Sequence, residues 1–98
     1  MKLTSNPLQR ITRRILPVLK RNSVVKAGIF GSYARGEEKK KSDVDILVQL
    51  KGRKSLLDVI RLERELKNVL GKNVDVLTYQ AIHPYLKERI LQEEVRIL

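Results

Sequence analysis

The stretch Gly31–Asp45 decides the reading: Gly-Ser-Tyr-Ala-Arg-Gly-Glu-Glu-Lys-Lys-Lys-Ser-Asp-Val-Asp. It lies between two apolar runs, Val24–Phe30 and Val44–Leu50. Their β-branched and apolar content predicts two strands, the first closed by Gly31. Side chains alternate along a strand, so Asp43 and Asp45 share one face while Val44, Ile46, Val48 and Leu50 line the other. Two carboxylates side by side repel, and a fold tolerates that where a cation sits between them; the pair suggests a metal site. The Gly31-Ser32 turn offers backbone N–H groups and a hydroxyl, which suit a phosphate oxygen. Taken singly, each piece reads as an ordinary turn or a solvated strand end. Combined in one strand–turn–strand unit, they suggest a metal-bound nucleoside triphosphate.

Gly31-Ser32, ten intervening residues, then Asp43-Val44-Asp45 resembles the signature of the DNA polymerase β-type nucleotidyltransferase superfamily. The longer string Gly-Ser-Tyr-Ala-Arg-Gly…Ser-Asp-Val-Asp-Ile-Leu-Val resembles its smallest branch, the minimal nucleotidyltransferases. Many of those are the antitoxin halves of pairs with HEPN-domain toxins. The resemblance runs from Val24 to the end, with no departure at the motif positions. It implies a palm-like nucleotidyltransferase fold.

It also implies a site and a reaction. Asp43 and Asp45 would hold the magnesium ion that travels with ATP, and with Asp75 a second magnesium ion that activates an acceptor hydroxyl. Gly31 and Ser32 would hold the β- and γ-phosphates, with Arg35 as a phosphate helper. The implied acceptor is a tyrosine of a HEPN-domain toxin, silenced by AMP.

Ninety-eight residues make one domain, 1–98, with room for a sheet and a few helices but none for a separate substrate-binding domain. A partner protein is therefore the economical acceptor. The absence of cysteine excludes disulfides, thiolate metal sites and a catalytic thiol, and a single histidine, His83, excludes a multi-histidine zinc site within one chain. Neither a signal peptide nor a membrane-spanning run is evident, so a cytoplasmic protein is expected.

The net charge is +10, and every acid lies from Glu37 onward. The basic N-terminal part reads as an electrostatic surface for nucleotide, RNA or an acidic partner, or simply as a solvated helix face. With one phenylalanine and three tyrosines, stacking platforms for single-stranded nucleic acid are poorly supplied.

Asn6-Pro7 predicts a helix start, and Leu8, Ile11, Ile15, Val18 and Leu19 mark an apolar face. Arg10, Arg14 and Arg21 fall opposite, a basic face that could dock a partner or a second copy. The helix is expected to run to about Arg21 with a kink at Pro17, two short helices being the alternative. Tyr33–Gly36 reads as one helical turn. Glu37–Ser42, with Lys39, Lys40 and Lys41 in a row, reads as a solvated loop or a substrate-gripping lip. Ser55 and Asp58 form a capping-box pattern before a helix ended by Gly71. Glu63 and Lys67 make an exposed pair along it.

Asn73–Tyr79 predicts a third strand, with Val74, Val76 and Thr78 on one face and Asp75, Leu77 and Tyr79 on the other. Asp75 is an acid in an otherwise apolar strand, which costs stability without a partner. His83-Pro84 opens a last helix, and Val95–Leu98 reads as a short edge strand. The order predicts an α/β fold, a small mixed sheet with helices packed on one face. Two other functions compete with the transferase: an antitoxin that only occludes its partner, and an enzyme subunit acting on RNA or a small molecule.

Overall fold

The computed structural model describes residues 6–52 and 54–98; Lys2 and Arg53 lie outside them. The chain forms α1 (Pro7–Arg21), β1 (Val24–Phe30), a single-turn α2 (Ser32–Arg35), β2 (Val44–Leu50), α3 (Leu56–Leu70), β3 (Val74–Thr78), α4 (Pro84–Glu93) and β4 (Val95–Arg96). A 3-10 turn, Tyr79–Ala81, ends β3 one residue earlier than expected. The four strands run in the order β3-β2-β1-β4. β2 pairs parallel with β3, and β1 pairs antiparallel with β2 and β4, so the sheet is mixed as expected.

Alternation along the strands assigns the two faces. Ala27, Ile29, Val44, Ile46, Val48 and Val74 turn toward α1 and α3, which contribute Ile11, Ile15, Val18, Leu19, Leu62 and Leu66 to the main core. The other face carries a smaller cluster of Leu47, Ile82 and Ile90, with Phe30, Leu77 and Tyr79 packed against it. Ile90 belongs to α4, so the last helix covers one end of the face opposite the two long helices.

Local signals agree with these elements. The Asn6 side chain accepts from the Gln9 N–H at 2.8 Å, and the Gln9 side chain accepts from the Asn6 N–H at 3.2 Å. The Ser55 N–H donates to Asp58 at 2.8 Å, which completes the α3 capping box. His83 caps α4, its Nδ1 accepting from the Tyr85 N–H at 3.2 Å.

α1 is the single helix expected to end near Arg21, continuous through Pro17 rather than divided in two. Pro17 is exposed between the buried Ile15 and Val18, so packing on both sides holds the helix through the lost hydrogen bond. Arg14 and Arg21 are exposed, as expected, and also reach the neighbouring helix. Arg14 donates to the Val69 carbonyl at 2.6 Å, and Arg21 pairs with Glu65, so both tie α1 to α3. The loop before Asp43 is largely exposed, as expected, and is held by local bonds: the Lys39 N–H donates to the Ser42 hydroxyl at 2.7 Å, and the Ser42 N–H donates to the Lys39 carbonyl at 2.9 Å. Among the described residues, no helix is long and apolar enough to cross a membrane.

Candidate active site

The parallel register of β2 and β3 pairs Asp45 with Asp75. Residues paired in this way point to the same side of a sheet. Leu47 and Leu77, the next pair on that side, meet in the smaller cluster, which fixes the face. Asp43 lies two residues before Asp45, just ahead of β2, and is exposed like Asp75. The three predicted acids thus gather at one end of adjacent strands. Partial burial, with the Asp75 and Asp43 charges beside it, pushes the Asp45 carboxyl up to about 6. Asp45 is also within hydrogen-bonding reach of Asp75. Among the described residues, no group of three or more His, Cys, Asp or Glu side chains is arranged so that it could hold a metal ion as it stands.

The turn after β1 is built around Gly31, at φ 76° and ψ −152°. A β-carbon there would overlap the Asp45 carboxylate, so glycine lets β1 end directly against the acid. Ser32 opens α2, and Gly36 ends it in the left-handed conformation, returning the chain toward β2. Tyr33 is buried, which anchors this turn to the core.

Arg35 is not a free cation. Its Nε donates to Glu37 at 2.9 Å, and its Nη1 donates to both oxygens of Glu93 at 3.2 and 3.3 Å. These bonds hold its guanidinium above its already high ordinary pKa. The Gly31 N–H also donates to Glu93, at 2.9 Å. A carboxylate from α4 therefore engages two groups expected to meet phosphate.

These residues line a cleft of about 420 Å³. One wall holds Gly31, Ser32, Arg35, Asp43 and Asp45; α4 supplies the other through Leu86, Arg89, Ile90 and Glu93. The α4 residues are spaced three, four and seven apart, one face of a helix. Sequence reasoning passed over Arg89 and Glu93, although that spacing could have shown that they share a face with Ile90. Asp75 is not part of the cleft wall; it flanks Asp45 on the next strand. A second hollow of about 390 Å³ adjoins Asp43 on the other side, with Lys40, Lys41 and Lys72 on its rim.

The nucleotidyltransferase domain model matches residues 12–97. The chain belongs to this family. It is therefore a nucleotidyltransferase, and its mixed sheet is that of the minimal members. It is 57% identical over 91 residues to a protein of Methanocaldococcus jannaschii that carries the provisional name protein adenylyltransferase, covering 93% of this chain and 98% of that one. It is 42% identical over 77 residues to the protein adenylyltransferase MntA of Thermococcus cleftensis, covering 79% of this chain and 78% of that one. A solved structure provisionally described as a minimal nucleotidyltransferase superposes with a TM-score of 0.77 at 35% identity, covering 90% of each chain. The same fold occurs in an MNT antitoxin solved with a tri-AMPylated HEPN toxin from Shewanella oneidensis, with a TM-score of 0.73 at 19% identity, covering 93% of this chain and 71% of that one. It also occurs in a toxin–antitoxin complex with AMP-PNP, with a TM-score of 0.79 at 21% identity, covering 89% of this chain and 72% of that one.

Proposed function

We propose that this nucleotidyltransferase is a protein adenylyltransferase that moves AMP from ATP to a tyrosine hydroxyl of a HEPN-domain toxin. The observation that carries the reading is the in-register pairing of Asp45 with Asp75, with Asp43 beside them and the Gly31-Ser32 turn against Asp45. The names of the relatives supply the nucleotide and the class of acceptor.

The acids suit divalent magnesium. They are hard oxygen donors, and the raised Asp45 carboxyl reports crowding of like charge that a divalent cation relieves. Asp43 and Asp45 would hold one ion and all three acids a second, which would neutralise phosphate charge and lower the pKa of the acceptor hydroxyl.

In the reaction the tyrosine oxygen gives up its proton and bonds to the α-phosphorus. The bond from that phosphorus to the bridging oxygen of the β-phosphate breaks, and pyrophosphate leaves. The Gly31-Ser32 turn holds the departing phosphates. The α4 wall closes the other side of the cleft, which limits the poses open to the triphosphate. Residues 1–98 act as one domain with the acceptor supplied by the partner. The exposed basic surface of α1 is the docking face for that partner or for a second copy, and a cytoplasmic location suits both.

The test is ATP radiolabelled at the α-phosphate, with magnesium, offered to the product of the neighbouring gene. Label on a tyrosine of that protein supports the proposal. A tight complex without label points to occlusion, and label on RNA or a small molecule points to a different acceptor. Either outcome overturns it.

A further inference from the structure

The cleft contains two arginines, and they differ in what they already hold. Arg35 sits between Glu37 and Glu93, one positive charge against two negative ones. To receive a phosphate it would have to leave at least one of them, and the trio as a whole repels an anion. Arg89 is exposed on the α4 wall of the same cleft. Glu93 lies four residues further along the helix, the spacing at which the two could pair. Glu93 instead reaches Gly31 and Arg35. The Arg89 side chain has no hydrogen bond or ion pair among the described residues.

We propose that Arg89, not Arg35, is the side chain that grips the triphosphate in this cleft. The inference rests on the nucleotide reading of the site. Two features argue for it. A planar guanidinium donates two parallel hydrogen bonds to a phosphate, which a lysine cannot match. Arg89 on α4 and the Gly31-Ser32 turn also line the same cleft, so phosphates held there meet both. Arg35 then acts as a positioning residue. Through Glu93 it links α2 to α4 and keeps the two walls at a fixed separation. Recruiting Arg89 breaks no existing ion pair, so its full interaction goes into binding.

The experiment is calorimetric titration of ATP with magnesium into the full chain and its variants, with adenosine as a second ligand. Arg89→Ala is expected to weaken ATP binding by about tenfold to a hundredfold, the range for loss of hydrogen bonds to a charged group. Adenosine binding is expected to be unchanged. Arg89→Lys should recover part of the loss, because it restores charge but not the fork. Arg35→Ala should weaken ATP binding less than Arg89→Ala. Arg61→Ala, which removes the same charge from α3 at a site paired with Asp58, should leave binding unaltered.

The inference is overturned if Arg89→Ala binds ATP like the wild type, if Arg61→Ala weakens it equally, or if adenosine binding falls in parallel. Retained ATP binding with lost transfer in Arg89→Ala also overturns it, because Arg89 would then serve the acceptor. A wild-type chain that binds no ATP overturns the nucleotide reading along with it. Arg89 is exposed, so melting by circular dichroism is expected to show both Arg89 variants folded.

Discussion

The Asp45 carboxylate occupies the space that a β-carbon on Gly31 would fill. The turn and the acid are thus packed against each other, and no side chain can be added at Gly31 without displacing Asp45. Gly31 also holds φ at 76°, where any other L-residue is strained. Gly31→Ala is expected to destabilise the fold by about 2 to 3 kcal/mol. Transfer should fall further than stability does, because the overlap displaces Asp45. Urea unfolding beside the transfer assay separates the two effects; unchanged transfer would sink the placement of Asp45 in the reaction.

Asp45→Asn removes like charge from a half-buried cluster. The fold is expected to hold or gain up to about 1 kcal/mol, a modest figure because solvent screens the group. Transfer should drop by about a thousandfold if the acid holds an essential metal ion. The same direction is expected for Asp43→Asn and Asp75→Asn. A transfer assay with the Asp43–Asp45 double change decides the matter, since magnesium-dependent activity in that variant contradicts the assignment.

Asp45 also sets a pH dependence. Its folded pKa of about 6 lies above the ordinary carboxylate value of about 4, so the folded state binds the proton more tightly. This contribution is fully present below about pH 4 and is lost as pH rises through 6. Asp58, held below the ordinary range chiefly by the Ser55 N–H, acts oppositely. So does Glu65, held down by Asn22 and then Arg21. Both effects are confined to pH values below the ordinary carboxylate pKa. Without magnesium, Tm is therefore expected to fall between about pH 5 and pH 7.5. The fall should be smaller in Asp45→Asn and smaller again when magnesium is added to the wild type. A Tm slope identical in wild type and Asp45→Asn would contradict this account.

Asp58 closes the capping box at the start of α3. Asp58→Ala leaves the Ser55 N–H without its partner and is expected to cost about 1 kcal/mol. Because the site lies on the far face of the sheet, transfer per folded molecule should be unaltered. Chemical denaturation and kinetics on the same preparation measure both.

The core of the site was legible because its signal is local. Gly31, Ser32, Asp43 and Asp45 lie on two strands joined by one turn, and strand alternation alone puts the acids on one face. Asp75 follows from the family resemblance rather than from spacing, and the parallel register of β2 and β3 pairs it with Asp45. The contact between Arg35 and Glu93 was not legible because the two lie 58 residues apart, and no short-range pattern reports it. Arg89 was overlooked for the same reason: α4 becomes a cleft wall only after Ile90 docks beside Leu47 and Ile82. α1 runs on through Pro17 because Ile15, Val18 and Leu19 are all buried around it, so packing outweighs local propensity.

The margin of β3 carries one more consequence. β3 ends the sheet, and the Val76 N–H on it donates to Glu63 of α3 at 3.0 Å. That donor is the kind an intruding chain would use to add itself as a fifth strand. A carboxylate standing on it denies the newcomer its first anchor and confronts it with negative charge. Aggregation along the rim nearest Asp75 is thereby discouraged.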